Sequence, residues 1–210
     1  MKSPIEDRRL WGRGPADFLL FGVTAVELGI LVRSTPSLSA TDWIYVCANL
    51  LVLAIALTRR PAQVQDRSIA AAAAVLVSYT YSYAQVALLN WFPGHIEWPA
   101  GGLVLIVAGA SLSLVSLLSL GRFFGVRPAL RGLATRGPYH LLRHPLYLAY
   151  VLQDIGYNLH EWSVGTLILV AAGWASLIYR IHAEERVLSH HADWADYTSR
   201  VRYRLLPGIW

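Results

Sequence analysis

The chain has 210 residues, of which 55% are hydrophobic and 15% charged, and its formal net charge is +5. Soluble domains carry about a quarter charged residues, whereas here the charges are confined to short segments between long apolar runs, as expected when lipid surrounds those runs. The basic residues form no separate soluble domain, which argues against nucleic-acid binding, and the single cysteine excludes an internal disulfide framework and a thiolate zinc site.

Apolar segments predict an all-α integral membrane protein with about six transmembrane helices, five being the alternative. In chain order the segments are 17–32, 43–58, 69–90, 100–120, 146–159 and 164–179. A span needs about 20 residues, so the fifth segment is the weakest candidate. The fifth and sixth segments predict a tight hairpin that turns at 160–162. The polar start of the chain favours retention of the first segment over cleavage as a signal peptide.

The distribution of basic residues predicts the orientation. With the N-terminus in the cytosol, 17 of the 18 lysine and arginine residues fall on the cytosolic side, and only Arg33 falls outside. This follows the positive-inside rule and predicts that both termini are cytosolic. The single lysine beside seventeen arginines favours a prokaryotic genome, and so a prokaryotic plasma membrane.

The fourth segment carries a face of small residues. Gly102, Gly109, Ser113 and Ser116 follow one another at helical spacing. Small residues let another helix backbone approach closely in a membrane. We therefore predict a packing face here, within a chain that forms one domain.

The connection 121–143 is longer than the earlier ones and carries five arginines, Phe123 and Phe124. A connection of this length is more often functional than idle, although snorkelling arginines and aromatic anchors also predict a purely interfacial segment. The fifth segment then opens with Arg143, His144 and Pro145. Proline suits a first helical turn, whose free N–H groups attract an anion such as a carboxylate.

Polar residues continue along the fifth segment as a stripe. Tyr147, Tyr150, Asp154 and Tyr157 lie on one helical face. An ionisable group inside a membrane is costly and indicates a functional interior or a buried partner. Asp154 is therefore predicted to line a cavity or to hold a structural hydrogen bond, and Glu27 in the first segment poses the same question without a polar stripe.

The region after the sixth segment is amphipathic. Arg180 and Glu184 are spaced as an ordinary surface ion pair at a helix end. The aromatic-rich tail that follows, 194–207, suits either the membrane surface or a cap over a site. His190 and His191 are adjacent and point in different directions on a helix, which argues against a metal site.

Taken together, these motifs resemble a known family. The ordered set is Gly137-Pro138-Tyr139, Arg143-His144-Pro145-x-Tyr147, and Glu184-Glu185 followed by Leu188, Tyr197 and Pro207. It resembles the C-terminal half of the isoprenylcysteine carboxyl methyltransferases and phospholipid methyltransferases. The first four segments carry no motif that matches.

The resemblance implies a membrane enzyme that uses S-adenosylmethionine near the cytosolic surface and takes a lipophilic acceptor from the bilayer. Residues 121–210 would form the catalytic region and 1–120 the acceptor-binding region. The implied cofactor-binding residues are Gly137, Pro138, Tyr139, His144, Pro145, Tyr147 and Glu184. Glu185 and Glu184 would lie near the amino acid moiety or the acceptor head group, and Arg143 would meet a carboxylate.

The acceptor itself stays open among a prenylated cysteine, a phospholipid amine, a small thiol and another apolar metabolite. Its pocket is expected from the first four segments, with Tyr150, Asp154 and Tyr157 facing it. An amine acceptor must lose a proton, for which Glu184 or Asp154 are candidates.

Two rival functions are retained. Membrane sterol and steroid reductases, which use NADPH, have a similar turn and a similar aromatic tail ending near proline; here Trp194, Tyr197 and the run 203–209 fit that pattern. The second rival is a non-catalytic lipid-binding membrane protein.

Overall fold

A computed structural model describes residues 5–10, 22, 25, 29, 40–92, 94–96 and 98–210. The first predicted segment, 17–32, lies outside the described residues except for Gly22, Ala25 and Gly29, which are helical. Glu27 and Arg33 also lie outside them.

The described chain is mostly helical, as predicted. Its helices are α1 (Ala40–Thr58), α2 (Ile69–Trp91), α3 (Pro99–Leu120), α4 (Pro145–His160), α5 (Val164–Leu188) and α6 (Trp194–Arg200). The bounds of α1 to α4 agree closely with the second to fifth predicted segments. The predicted end of the sixth segment at Tyr179 is wrong, because α5 continues to Leu188 and carries Arg180, Glu184 and Glu185 within the helix.

Local sequence explains where these helices begin. The Ser68 hydroxyl accepts a hydrogen bond from the Ala71 N–H and caps α2. Ser163 and Thr166 form a reciprocal capping box at the start of α5. Pro145 is the first residue of α4, where its missing N–H leaves no helical hydrogen bond unmade, as predicted.

Three helical stretches in the described part are long and apolar enough to cross a membrane: Ile69–Leu89, Pro99–Phe123 and Val164–Leu188. Helix α4 has 16 residues, about 24 Å at 1.5 Å per residue, which is short of a bilayer core. The count of six spans therefore stays a prediction.

A small antiparallel sheet was not predicted. Strands β1 (Ile5–Leu10), β2 (Ala62–Asp66) and β3 (Ala129–Leu130) pair in the order β1-β2-β3. Because β2 is only five residues long, its alternating burial gives too short a pattern to detect beside the long apolar runs.

The small-residue face of α3 packs against α4, as predicted. Gly102, Gly109, Ser113 and Ser116 are all buried. A Cβ atom added at Gly109 would lie 2.7 Å from the Ala149 carbonyl oxygen of α4, so a larger side chain cannot fit without separating the two helices.

Helices α2 and α5 form a second pair. The hydroxyls of Ser78 and Ser176 are 2.7 Å apart, and Ser176 donates to the Ala74 carbonyl oxygen at 2.7 Å. Gly173 of α5 faces the ring of Tyr81 on α2. These contacts fix the depth of one helix against the other.

The connections group at two opposite ends of the helices. At one end, His95 and Trp162 exchange backbone hydrogen bonds of 2.7 and 3.0 Å. At the other, the Arg60 N–H donates to Arg122, and the Arg143 N–H donates to Tyr203, both at 2.9 Å. This second end, the charged end, gathers the segments 59–68, 121–144 and 189–210.

Candidate functional site

A cavity of about 100 Å³, the end cavity, lies at the charged end. The connection 121–144, α4, α5 and α6 all contribute to its lining. Seven residues that the motifs singled out line it: Tyr139, Arg143, His144, Tyr147, Glu184, Leu188 and Tyr197.

The two separated motifs meet at this cavity. The Tyr147 hydroxyl at the start of α4 donates to the Glu184 carboxylate near the end of α5. The His144 ring stacks on Tyr147 with centroids 5.6 Å apart. Its nitrogens lie between the two glutamates, 3.9 Å from a Glu184 oxygen and 3.4 Å from a Glu185 oxygen. The opening turn of α4 and the acidic pair of α5 therefore converge.

Glu185 occupies a different position from Glu184. It binds Arg143 at 3.2 Å and Arg204 at 2.7 Å and is not among the residues that line the end cavity. Arg143 also donates through Nε to the Val201 carbonyl oxygen at 2.8 Å and through Nη2 to that of Thr198 at 3.4 Å. All three nitrogens of Arg143 thus bind protein groups. Arg143 and Glu185 together hold the tail against the start of α4.

The C-terminal tail covers the end cavity. Trp194 and Tyr197 of α6 line it, and the buried Tyr197 hydroxyl donates to the Tyr139 carbonyl oxygen at 2.8 Å. Burial raises the pKa of Tyr197 to about 12 and the pKa of Tyr139 well above its usual value. Both phenols are therefore neutral near pH 7. Of the two roles predicted for the tail, the described structure displays the cap.

Gly137, Pro138 and Pro145 are not among the lining residues of the end cavity within the described chain. Gly137 begins a 3-10 turn, Gly137–His140, with a positive φ of 58°. A Cβ atom there would collide with the Ser119 side chain of α3. The glycine thus allows the turn to pack on α3 and direct Tyr139 into the site.

Arg180 is not the surface residue that the sequence predicted. Its side chain is 8% exposed, and its guanidinium lies 5.3 Å from the ring centroid of Tyr147. Nη2 donates to the Val126 carbonyl oxygen at 3.2 Å and lies 4.0 Å from Glu184. Among the described residues, its buried Nε has no hydrogen-bond partner. The Arg180 guanidinium is thus a buried cation in the lining of the end cavity, where it suits an anionic group.

A larger cavity of about 430 Å³, the central cavity, lies between α2, α3, α4 and α5. The predicted stripe, Tyr150, Asp154 and Tyr157, forms one side of it. Asp154 accepts hydrogen bonds of 2.8 Å from the Tyr81 hydroxyl and the Trp174 indole N–H. It therefore has both roles that the sequence left open, since it lines a cavity and holds a structural hydrogen bond.

The two cavities adjoin. Tyr79, Tyr147, Tyr150 and Arg180 line both of them. Sequence reasoning missed Tyr79 and Tyr81 of α2, because no motif marks them and their role depends on how α2 pairs with α5. The acceptor pocket was expected from the first four segments with the α4 stripe facing it, and the central cavity takes its lining from α2, α3, α4 and α5.

Comparison with known proteins supports the motif resemblance. Residues 99–191 match the phospholipid methyltransferase family. Protein-S-isoprenylcysteine O-methyltransferase B of Arabidopsis thaliana is 26% identical over 136 residues, 55% of this chain and 64% of the relative. Protein-S-isoprenylcysteine O-methyltransferase A of the same organism is 28% identical over 106 residues, 44% of this chain and 49% of the relative.

The chain thus spans less than two thirds of the length of these relatives. The matched region 99–191 nevertheless includes α3, α4, α5 and every motif from Gly137 to Glu185. Through this region the chain is similar to the isoprenylcysteine and phospholipid methyltransferases.

Proposed function

We propose that the protein is an integral membrane methyltransferase that uses S-adenosylmethionine and methylates a lipophilic acceptor. The observation that carries the proposal is the wall of four residues shared by the end cavity and the central cavity. One cavity lies among charged groups, and the other is lined in part by three helices that are long and apolar enough for a membrane. Such a junction lets a water-soluble donor meet a lipid-soluble acceptor.

The chemistry of the end cavity fits the charges of this cofactor. The Glu184 carboxylate suits an ammonium group, and the rings of Tyr139 and Tyr147 suit a sulfonium cation. The guanidinium of Arg180, which lines the end cavity, suits a carboxylate, and it takes over the role first expected of Arg143 because Arg143 binds the tail. When bound, S-adenosylmethionine supplies an electrophilic methyl group.

The size of the end cavity requires a conformational change. Its volume of about 100 Å³ is below the roughly 300 Å³ of the smallest usual ligand sites. The tail that covers it, 189–210, is attached through Glu185, the side chain and backbone of Arg143, the backbone of His144 and the Tyr197 hydroxyl. We therefore expect this tail to move when the cofactor binds.

The protein's contribution to methyl transfer is alignment and exclusion of water. The hydrogen bond from Tyr147 to Glu184 and the contact of Arg180 with the Tyr147 ring hold the shared wall in place. A carboxylate acceptor, as on an isoprenylcysteine, needs no general base. An amine acceptor, as on a phospholipid, must lose a proton, and Glu184 or Asp154 would accept it.

The proposal also includes the orientation of the protein in the membrane and the part of the chain that lines each cavity. The charged end faces the cytosol, since it gathers the basic segments. Residues 121–210 supply most of the end cavity, and α2 and Ile106 within residues 1–120 complete the central cavity for the acceptor.

Equilibrium binding to the purified full chain in nanodiscs tests the proposal. We expect saturable binding of S-adenosylmethionine and its demethylated product, weakened by Glu184→Gln and by His144→Ala. The matched control is Asp193→Asn, whose side chain is 76% exposed. Binding of NADPH alone would indicate a reductase, and binding of neither by folded protein would favour the non-catalytic lipid-binding alternative.

A further inference from the structure

Most residues that line the central cavity carry a polar side-chain group. Of its fifteen lining residues, only Ile106, Gly173 and Leu177 lack a polar side-chain group. Six of the others are tyrosines, which present apolar ring faces and a hydroxyl. Polar groups inside a membrane are costly unless they are satisfied or used. A site for an unsubstituted hydrocarbon chain would not need them.

Asp154 retains capacity to accept a further hydrogen bond. A carboxylate offers about four lone-pair positions. Two protein groups donate to it, the Tyr81 hydroxyl and the Trp174 indole N–H. Because both donors are neutral, a carboxylate oxygen that faces the cavity favours a donor from the bound molecule.

The helix positions give the distance between Asp154 and the residues that both cavities share. Asp154 lies seven residues after Tyr147 on α4, about 10 Å along the helix axis. Its partner Trp174 lies six residues before Arg180 on α5, about 9 Å along the axis. Along both helices, the level of Asp154 and Trp174 is thus about the same distance from Tyr147 and Arg180.

We infer that the acceptor is a lipid that carries a hydroxyl or amine within its membrane-embedded part, about 10 Å from its methyl-accepting atom. That group donates to Asp154, while the accepting atom lies beside Arg180 and Tyr147. The inference rests on the proposed function and narrows it, since an unsubstituted isoprenyl chain has no group to offer Asp154.

Three synthetic lipid acids of equal chain length test the inference on the wild-type chain in nanodiscs with the demethylated cofactor bound. One is unsubstituted, one carries a donor group about 10 Å from its carboxylate, and one carries the same group beside the carboxylate. The acid with the distant donor group should bind at least about tenfold more tightly than the other two. Equal dissociation constants for all three acids would overturn the inference. Hydroxyl and amine versions of the series distinguish the two donors.

Substitutions locate the effect. Asp154→Asn should remove most of the preference for the amine version, and Tyr81→Phe, which removes a donor that orients Asp154, should reduce it. The control is Thr80→Val, because Thr80 is exposed on α2 and bonds only its own helix at Leu76. A preference that survives in both variants would overturn the role of Asp154. Absence of cofactor binding in the wild type would instead count against the methyltransferase proposal.

Discussion

The charged end and the central cavity hold carboxylates in opposite ways. Near the charged end, Glu185 pairs with the cations Arg143 and Arg204. Deep between the helices, Asp154 is held by the neutral donors Tyr81 and Trp174. Burying a cation beside a carboxylate adds a second desolvation cost, which neutral donors avoid. The charged end thus suits a charged cofactor, and the deeper region suits a lipid with few polar groups.

Arg180 is where the two environments meet, and its removal should have the largest effect. We expect Arg180→Met to lower the methyl-transfer rate at least about 100-fold, or about 3 kcal/mol, because the junction loses its buried cation. Initial rates of label transfer measure this. The exposed Arg136, changed to Met, is the control. Full activity in Arg180→Met would show that the wall shared by the two cavities is not needed for methyl transfer.

The two neighbouring glutamates should separate cleanly. Glu184→Gln should weaken cofactor binding about tenfold with little effect on stability, since Glu184 lines the end cavity. Glu185→Gln should destabilise the tail by about 2 kcal/mol, because two partly buried guanidinium groups lose their common partner. Titration calorimetry and limited proteolysis distinguish the two. If both variants changed cofactor binding and tail stability to the same extent, the two glutamates would not have separate roles.

The packing of α3 on α4 should control the central region without changing the charged end. Gly109→Val should destabilise the protein by about 2 kcal/mol, because the added side chain meets the α4 backbone. Val107→Leu on the same helix is the control, since Val107 is exposed. Thermal unfolding in detergent measures both. Equal midpoints in the two variants would contradict the close approach of these helices.

The smallest effect is expected where the tail covers the end cavity. Tyr197→Phe removes the hydrogen bond to the Tyr139 carbonyl oxygen, and should cost about 1 kcal/mol. Hydrogen exchange of 194–205 should increase, while the central cavity keeps its protection. The more exposed Tyr203, changed to Phe, is the control. Unchanged exchange in Tyr197→Phe would argue against the tail as a cap.

The parts of this picture that were predictable from sequence are the local ones. Apolar runs fixed α1 to α4 nearly to the residue, and the spacing of small residues identified the α3 face because one helix determines it. The convergence of His144 and Tyr147 with the glutamates followed from the ordered motifs.

The parts that were missed depend on contacts between distant segments. Charges from Arg180 onward suggested that α5 had ended, whereas the connection 121–144 covers Arg180 and supplies the Val126 carbonyl oxygen that it binds. The contribution of Tyr79 and Tyr81 follows from the α2–α5 pairing, which no local pattern encodes.

The decisive measurement is a methyl-transfer assay. A labelled methyl group is supplied on S-adenosylmethionine to a lipid extract of the native host, and the labelled product is identified by mass. We expect a single class of labelled lipid, formed by the wild type and by Arg136→Met but not by Arg180→Met. A folded, cofactor-binding wild type that labels no lipid, or equal labelling by Arg180→Met, would contradict the claim that the two cavities meet to join donor and acceptor.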